Sequence, residues 1–295
     1  MRAILLLILL AIVVGAGYYI WKVRSRGPDL TFAPYQENYA SKVDLARVDA
    51  EYPIERAKLQ RITLDSLADF DQEQLDQLYA HLTAGPIPDG QYRGAILLQK
   101  GSSGKYRASE IVGGLKGVGF DIAGDKLTAL GEALWKGKVF YRDQRLLRNK
   151  MENLDLLTKF FPARKDDIEQ LKAQQNREFF PAKLYCGQSL LDGRRESVII
   201  DYAFTDELPG YREVPDALGG RDGLLIRDEI RMIRPGLYLG RAYMNGIFGL
   251  NFALYNDGVA KGQTDEWLRT GKVAEDCWTG PQPSPPVQQA MARAG

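Results

Sequence analysis

Residues 224–255 read LLIRDEIRMIRPGLYLGRAYMNGIFGLNFALY. Three apolar runs, Leu224 to Ile233, Leu237 to Met244 and Ile247 to Tyr255, are separated by Arg234-Pro235-Gly236 and by Asn245-Gly246. Asn-Gly is a strong two-residue hairpin signal, because both residues tolerate positive φ. Asn256-Asp257-Gly258 closes the third run, so the stretch predicts an antiparallel meander. Side chains alternate across a strand. Ile226, Asp228, Ile230 and Met232 therefore share one face, and Arg227, Glu229 and Arg231 the other. Asp228 lands on the apolar side, where a carboxylate is costly unless paired. Two readings follow: an ion pair with an arginine of a neighbouring strand, or a polar anchor for a ligand inside a cavity.

Upstream, Ser197 to Phe204 is rich in β-branched and aromatic residues and reads as a strand. Asp192-Gly193 before it is a hairpin turn signal. Phe179 to Leu184, Trp135 to Tyr141, and Ala95 to Leu98 after the turn at Asp89-Gly90 complete the expected strands. Many short strands in one run predict a mainly β body with short helices, a barrel or a sandwich. Between them, 206–223 reads as a Pro- and Gly-punctuated loop, and 144–177 as helical or irregular and mostly solvated.

One helix is well marked. Asp71 with Gln74 forms a capping box, and Leu75, Leu78, Tyr79 and Leu82 make one apolar stripe that ends at Gly85-Pro86. His81, beside that stripe, reads as a partly exposed helix histidine. A second helix is expected from Asp125, with Leu127, Leu130, Leu134 and Trp135 on one side. Gly101 to Gly104 and Gly113 to Gly119 read as loops.

At the N-terminus, Ala3 to Trp21 carries no charge over 19 residues. A helix of that length nearly crosses a hydrocarbon core of ~30 Å. Tyr18, Tyr19 and Trp21 suit the interface, and Lys22, Arg24 and Arg26 follow. A cleaved signal peptide would use Gly15-Ala16-Gly17, but the apolar run continues through that site. The expected organisation is an anchor with a basic flank at 1–26, a linker at 27–60, a β-rich domain at 61–278 and a disordered tail at 279–295. Basic flanks lean towards a cytoplasmic body. Cys186 and Cys277, far apart in sequence, suit a disulfide in an oxidising compartment, which favours the periplasmic side of a bacterial inner membrane. Two buried thiols would read the same way.

Lys plus Arg is 39 and Asp plus Glu is 38, a net charge of +1, which argues against nucleic acid. One histidine and two distant cysteines argue against a zinc site, and no metal-binding residue is assigned. No cofactor is implied. There is no G-x-S-x-G elbow and no phosphate loop, and the glycines at 113–119 lack dinucleotide spacing. No catalytic residue is assigned.

Two short elements carry a resemblance. Gly90-Gln91-Tyr92-Arg93-Gly94 resembles the G-x-W-x-G element of small bacterial domains of unknown function and the G-x-W first strand of lipocalin-like barrels. Trp135-Lys136-Gly137-Lys138-Val139-Phe140 resembles a later W-x-G-K-x-F element of the same bacterial domains. Tyr92 stands where those barrels have tryptophan. The resemblance implies a calycin-type β-barrel with a small apolar ligand inside. The expectation is therefore a membrane-anchored barrel that binds a lipid or other apolar molecule, lined by Tyr92, Trp135, Tyr202, Phe204, Asp228, Tyr238 and Phe252. Plain core is the commoner role for each of these aromatics. The alternatives are a tethered module holding a protein partner through 144–177 or 206–223, and an enzyme on a lipophilic substrate using Asp201 or Asp228.

Overall fold

The computed structural model describes residues 27–34, 44–97, 134–159, 162–173 and 177–279. Eight strands run in antiparallel order: β1 (Gly90–Leu97), β2 (Trp135–Tyr141), β3 (Leu146–Met151), β4 (Glu178–Gln188), β5 (Glu196–Asp201), β6 (Ile226–Arg234), β7 (Leu237–Met244) and β8 (Ile247–Tyr255). Each pairs with the next, and β8 returns to β1 from Arg93↔Tyr255 to Leu97↔Asn251, closing a barrel. Closure leaves no unpaired edge, which is why the meander does not stop as an open sheet. Asn245 and Gly246 take φ of 50° and 76°, as the tight turn between Met244 and Ile247 requires.

Among the described residues, six α-helices of five or more residues accompany the barrel, besides a four-residue turn of helix at Glu213–Asp216: α1 (Leu45–Glu51), α2 (Arg56–Gln60), α3 (Leu64–Ala68), α4 (Gln72–His81), α5 (Lys165–Lys172) and α6 (Asp257–Thr270). The capping box of α4 is formed, with the Asp71 carboxylate accepting from the Gln74 amide at 2.8 Å. Its stripe of Leu75, Leu78 and Tyr79 is fully buried against Ile233, Leu237, Leu239 and Ala253 on the outer barrel wall, beside Trp267 of α6. Burial of such a stripe holds a ten-residue helix that would be marginal alone. His81 is half-buried there, a partly exposed helix histidine as expected, its ring between the carbonyls of Gln77 and Tyr52.

Three expectations are corrected. The segment 27–60 is not a plain linker, since α1 and α2 form within it and bury Val48 and Leu59. Each helix is so short that one buried side chain suffices, and no periodicity shows. Residues 144–177 supply a barrel strand, β3, as well as α5. One inward position of β3 is the polar Asn149, which erases the alternation a strand would display. Asn256 is not just a turn: its side chain caps α6 by accepting from the Val259 amide at 3.0 Å.

The barrel has two unlike ends. At one, Tyr92, Phe140 and Tyr238 pack edge to face, with ring centroids 5.5 and 5.8 Å apart. The Tyr238 hydroxyl donates to the Pro86 carbonyl at 2.7 Å, so the chain after α4 covers this end. Cys186 of β4 and Cys277 form a disulfide across 91 residues, which ties the C-terminal segment to the same end. At the other end β1 finishes and β2 begins. Residues 98–133 join them and lie outside the described residues, as do the loops expected at 101–104 and 113–119 and nearly all of the helix expected from Asp125. The apolar segment within 1–26 and nearly all of the tail expected from 279 also lie outside. Among the described residues, no helix is long and apolar enough to cross a membrane.

Candidate functional site

Inward side chains at this second end line an open-mouthed cavity of about 210 Å³. Ile96, Met151, Phe180, Ile226, Met244 and Leu250 supply much of its apolar wall. Leu218 enters from the chain between β5 and β6. Asp216 docks that chain, its buried carboxylate accepting from the amides of Phe180 at 2.6 Å and Arg212 at 2.9 Å.

Two strand glycines shape the wall. A Cβ on Gly94 would stand 2.3 Å from the Trp135 indole, and one on Gly240 2.2 Å from the Phe252 ring. Their missing side chains let both rings lie against the backbone. The rings meet edge to face at 5.8 Å.

Beside these rings sits a polar cluster. Lys138 of β2, 2% exposed, reaches across the lumen to Asp228 of β6, with Nζ 2.8 Å from Oδ2. Its other two N–H groups go to the Tyr202 hydroxyl at 2.6 Å and to Asn149 Oδ1 at 3.0 Å. Asn149 Oδ1 also accepts from Trp135 Nε1 at 2.9 Å, while Nδ2 donates to the Tyr202 hydroxyl at 2.9 Å and the Phe180 carbonyl at 3.3 Å. The rings of Trp135, Tyr202 and Phe252 lie 5.3–5.5 Å from the ammonium, within cation–π range. Burial opposes the charged lysine, but Asp228 and Tyr202 outweigh it and hold Lys138 above its ordinary value. Burial pushes the Tyr202 phenol up to about 12, so it stays protonated at neutral pH. The cluster is an ion pair that is neutral overall, wrapped in aromatic rings.

Of the residues expected to line a cavity, Trp135, Tyr202, Asp228 and Phe252 come together here. Tyr92 and Tyr238 belong to the packed core at the other end. Phe204 is elsewhere too, between Lys183 and Arg221 with their charges 4.1 and 5.7 Å from its ring centroid. Asp228 does face inward, but its partner is a lysine from across the lumen, not an arginine of the next strand. The arginines of β6 and β7 are engaged elsewhere, Arg227 with Glu229, Arg231 with Asp192, Arg234 with the Ile62 carbonyl and Arg241 with Asp76, so none pairs with it. Asp201 points away from Asp228 and accepts from the Tyr185 hydroxyl at 2.7 Å, so the two carboxylates do not form an acid–base pair.

Lys138 and Asn149 are the residues that the sequence reading misses. One signal was there: Lys138 stands two residues before Phe140 on the same strand face, a stranded base to match the stranded acid. Cys186 and Cys277 also lie near Glu196, but their sulfurs are joined in the disulfide and are not available as thiolate ligands.

Fold and site together define a closed eight-stranded antiparallel barrel with a polar cluster set into an internal apolar cavity. No family model matches the chain, and no curated protein matches it either. Among solved structures, a protein from Thermomonospora curvata is similar at 16% identity, over 64% of this chain and 89% of that one, with a TM-score of 0.32. A likeness of that size carries no argument about fold or function.

Proposed function

We propose that the barrel binds a small apolar molecule in its lumen, as lipocalin-like barrels do, and that the N-terminal apolar segment holds it at a membrane. The observation that carries this reading is the cavity of about 210 Å³ with its largely apolar wall. An eight-stranded barrel is just wide enough to be filled by side chains or to hold one small ligand. Among the described residues, side chains fill one end, and at the other they line the cavity. An apolar cavity of ~150 Å³ takes up benzene in a protein interior. The lumen therefore suits a molecule of about one ring, or the end of a longer chain, rather than a whole two-chain lipid. The disulfide supports a body on the oxidising, periplasmic side.

Native mass spectrometry of the full chain, released from mild detergent, tests this. The expected result is a bound mass that is lost on denaturation and is absent from Ala242→Phe, which fills the lumen from β7. A bare mass for the wild type, with no uptake of added toluene, overturns the reading.

A further inference from the structure

We infer that the occupant of the lumen is an uncharged apolar molecule carrying one hydrogen-bond donor, a hydroxyl or N–H, which it gives to Oδ1 of Asp228. This rests on the lumen being a binding cavity and adds the chemistry that would select the ligand.

The argument is a count of donors and acceptors in the cluster. Lys138 has three N–H groups, and Asp228, Tyr202 and Asn149 take them. The Trp135 N–H is taken by Asn149, and both Asn149 N–H groups are taken by Tyr202 and Phe180. The Tyr202 hydroxyl accepts twice and points its own hydrogen towards Asp228 Oδ2 at 3.4 Å. No donor of the cluster is left for a ligand. One acceptor is left: Asp228 Oδ1 takes no hydrogen bond from a described residue, on a lining residue only 4% exposed.

A charged ligand fits poorly. An anion would meet the open carboxylate oxygen and find no free donor. A cation would surrender its hydration in a cavity whose acid is already neutralised by Lys138 at 2.8 Å. A neutral donor meets no such cost and forms a charge-assisted bond, about twice as strong as a neutral one.

Equilibrium dialysis of the full chain against matched protein-free micelles tests this with toluene, p-cresol, p-toluate and benzylamine. These share one ring and differ in charge and donor. The expected result is p-cresol at least tenfold tighter than toluene, with p-toluate and benzylamine weaker than both. In Lys138→Met/Asp228→Leu, toluene still binds and the preference for p-cresol disappears. Should that variant not fold, the carboxyl 13C shift of Asp228 in the wild type decides: p-cresol moves it and toluene does not. Equal binding of toluene and p-cresol, or a preference for an ion, overturns this inference while leaving the lumen a binding cavity. Binding of none of the four overturns the proposed function as well.

Discussion

Two of the buried charges of strand β6, Asp228 and Arg231, lie three residues apart on opposite faces of the barrel wall. Arg231 faces outward, fully buried under α4 and the β4–β5 hairpin. Its guanidinium donates to Ser197 Oγ, the carbonyls of Tyr79, Asp192 and Arg195, and the Asp192 carboxylate, at 2.6–3.1 Å. Burial works against the Asp192 charge, yet Arg194 and Arg231 hold that carboxyl below its ordinary value. Asp228 faces inward and is nearly as buried, but one of its oxygens opens on a cavity. The difference separates two uses of a buried charge. A charge with every lone pair and proton taken joins elements of the fold, here the helical layer and the barrel. A charge with one atom left over, beside a cavity with an apolar wall, can meet something else.

The largest effect expected from this contrast is on stability. Arg231→Met removes the cation and leaves the buried Asp192 and the surrounding carbonyls short of partners. Loss of one member of a buried pair costs about 3–5 kcal/mol, read as a lower denaturant midpoint. Asp228→Ala also orphans a buried charge, but the lumen can admit water to the Lys138 ammonium. The expected loss is smaller, about 2 kcal/mol, within the range for an unsatisfied buried group. Lys138→Met/Asp228→Leu should return to within ~1 kcal/mol of wild type, because apolar replacement of a whole pair is often neutral. Equal losses for Arg231→Met and Asp228→Ala would break the contrast, by showing that the lumen is as dry and closed as the outer cluster.

The smallest effect sharpens it. Lys138 and Tyr202 both have raised values in the folded state, the phenol at about 12. Their unfolded values are near 10.4 and 10. The stability they contribute is complete below about pH 10 and falls as pH rises through the folded values. The wild-type midpoint should be flat up to pH 10 and decline towards 12, with a shallower decline in Tyr202→Phe. A decline that begins below pH 9 would assign alkaline sensitivity to other groups.

Much of the fold is legible in the sequence, for reasons that lie in particular residues. The three strands of 224–255 show because Asn245-Gly246 and Pro235-Gly236 can only turn, and α4 shows because its cap and stripe are written within a dozen residues. β3 is hidden because Asn149 occupies an inward position where an apolar residue would have shown the strand. α1 and α2 are hidden because each buries a single side chain. Asp228 stands out by breaking an apolar face. Lys138 stands out less, being one of 39 basic residues and marked only by its place two residues before Phe140 on the same strand face.

The sequence by itself therefore determined the local elements: turns, caps, alternation and the acid stranded on an apolar face. Those depend on neighbours a few residues away, which the chain states directly. The closure of β8 onto β1, the unlike ends of the barrel and the meeting of Lys138 with Asp228 across the lumen were decided only by the tertiary structure. These pairings join residues up to about 160 positions apart. Their partners are chosen by which arrangement buries the apolar faces and leaves fewest charges alone, a competition over the whole chain that no single stretch records.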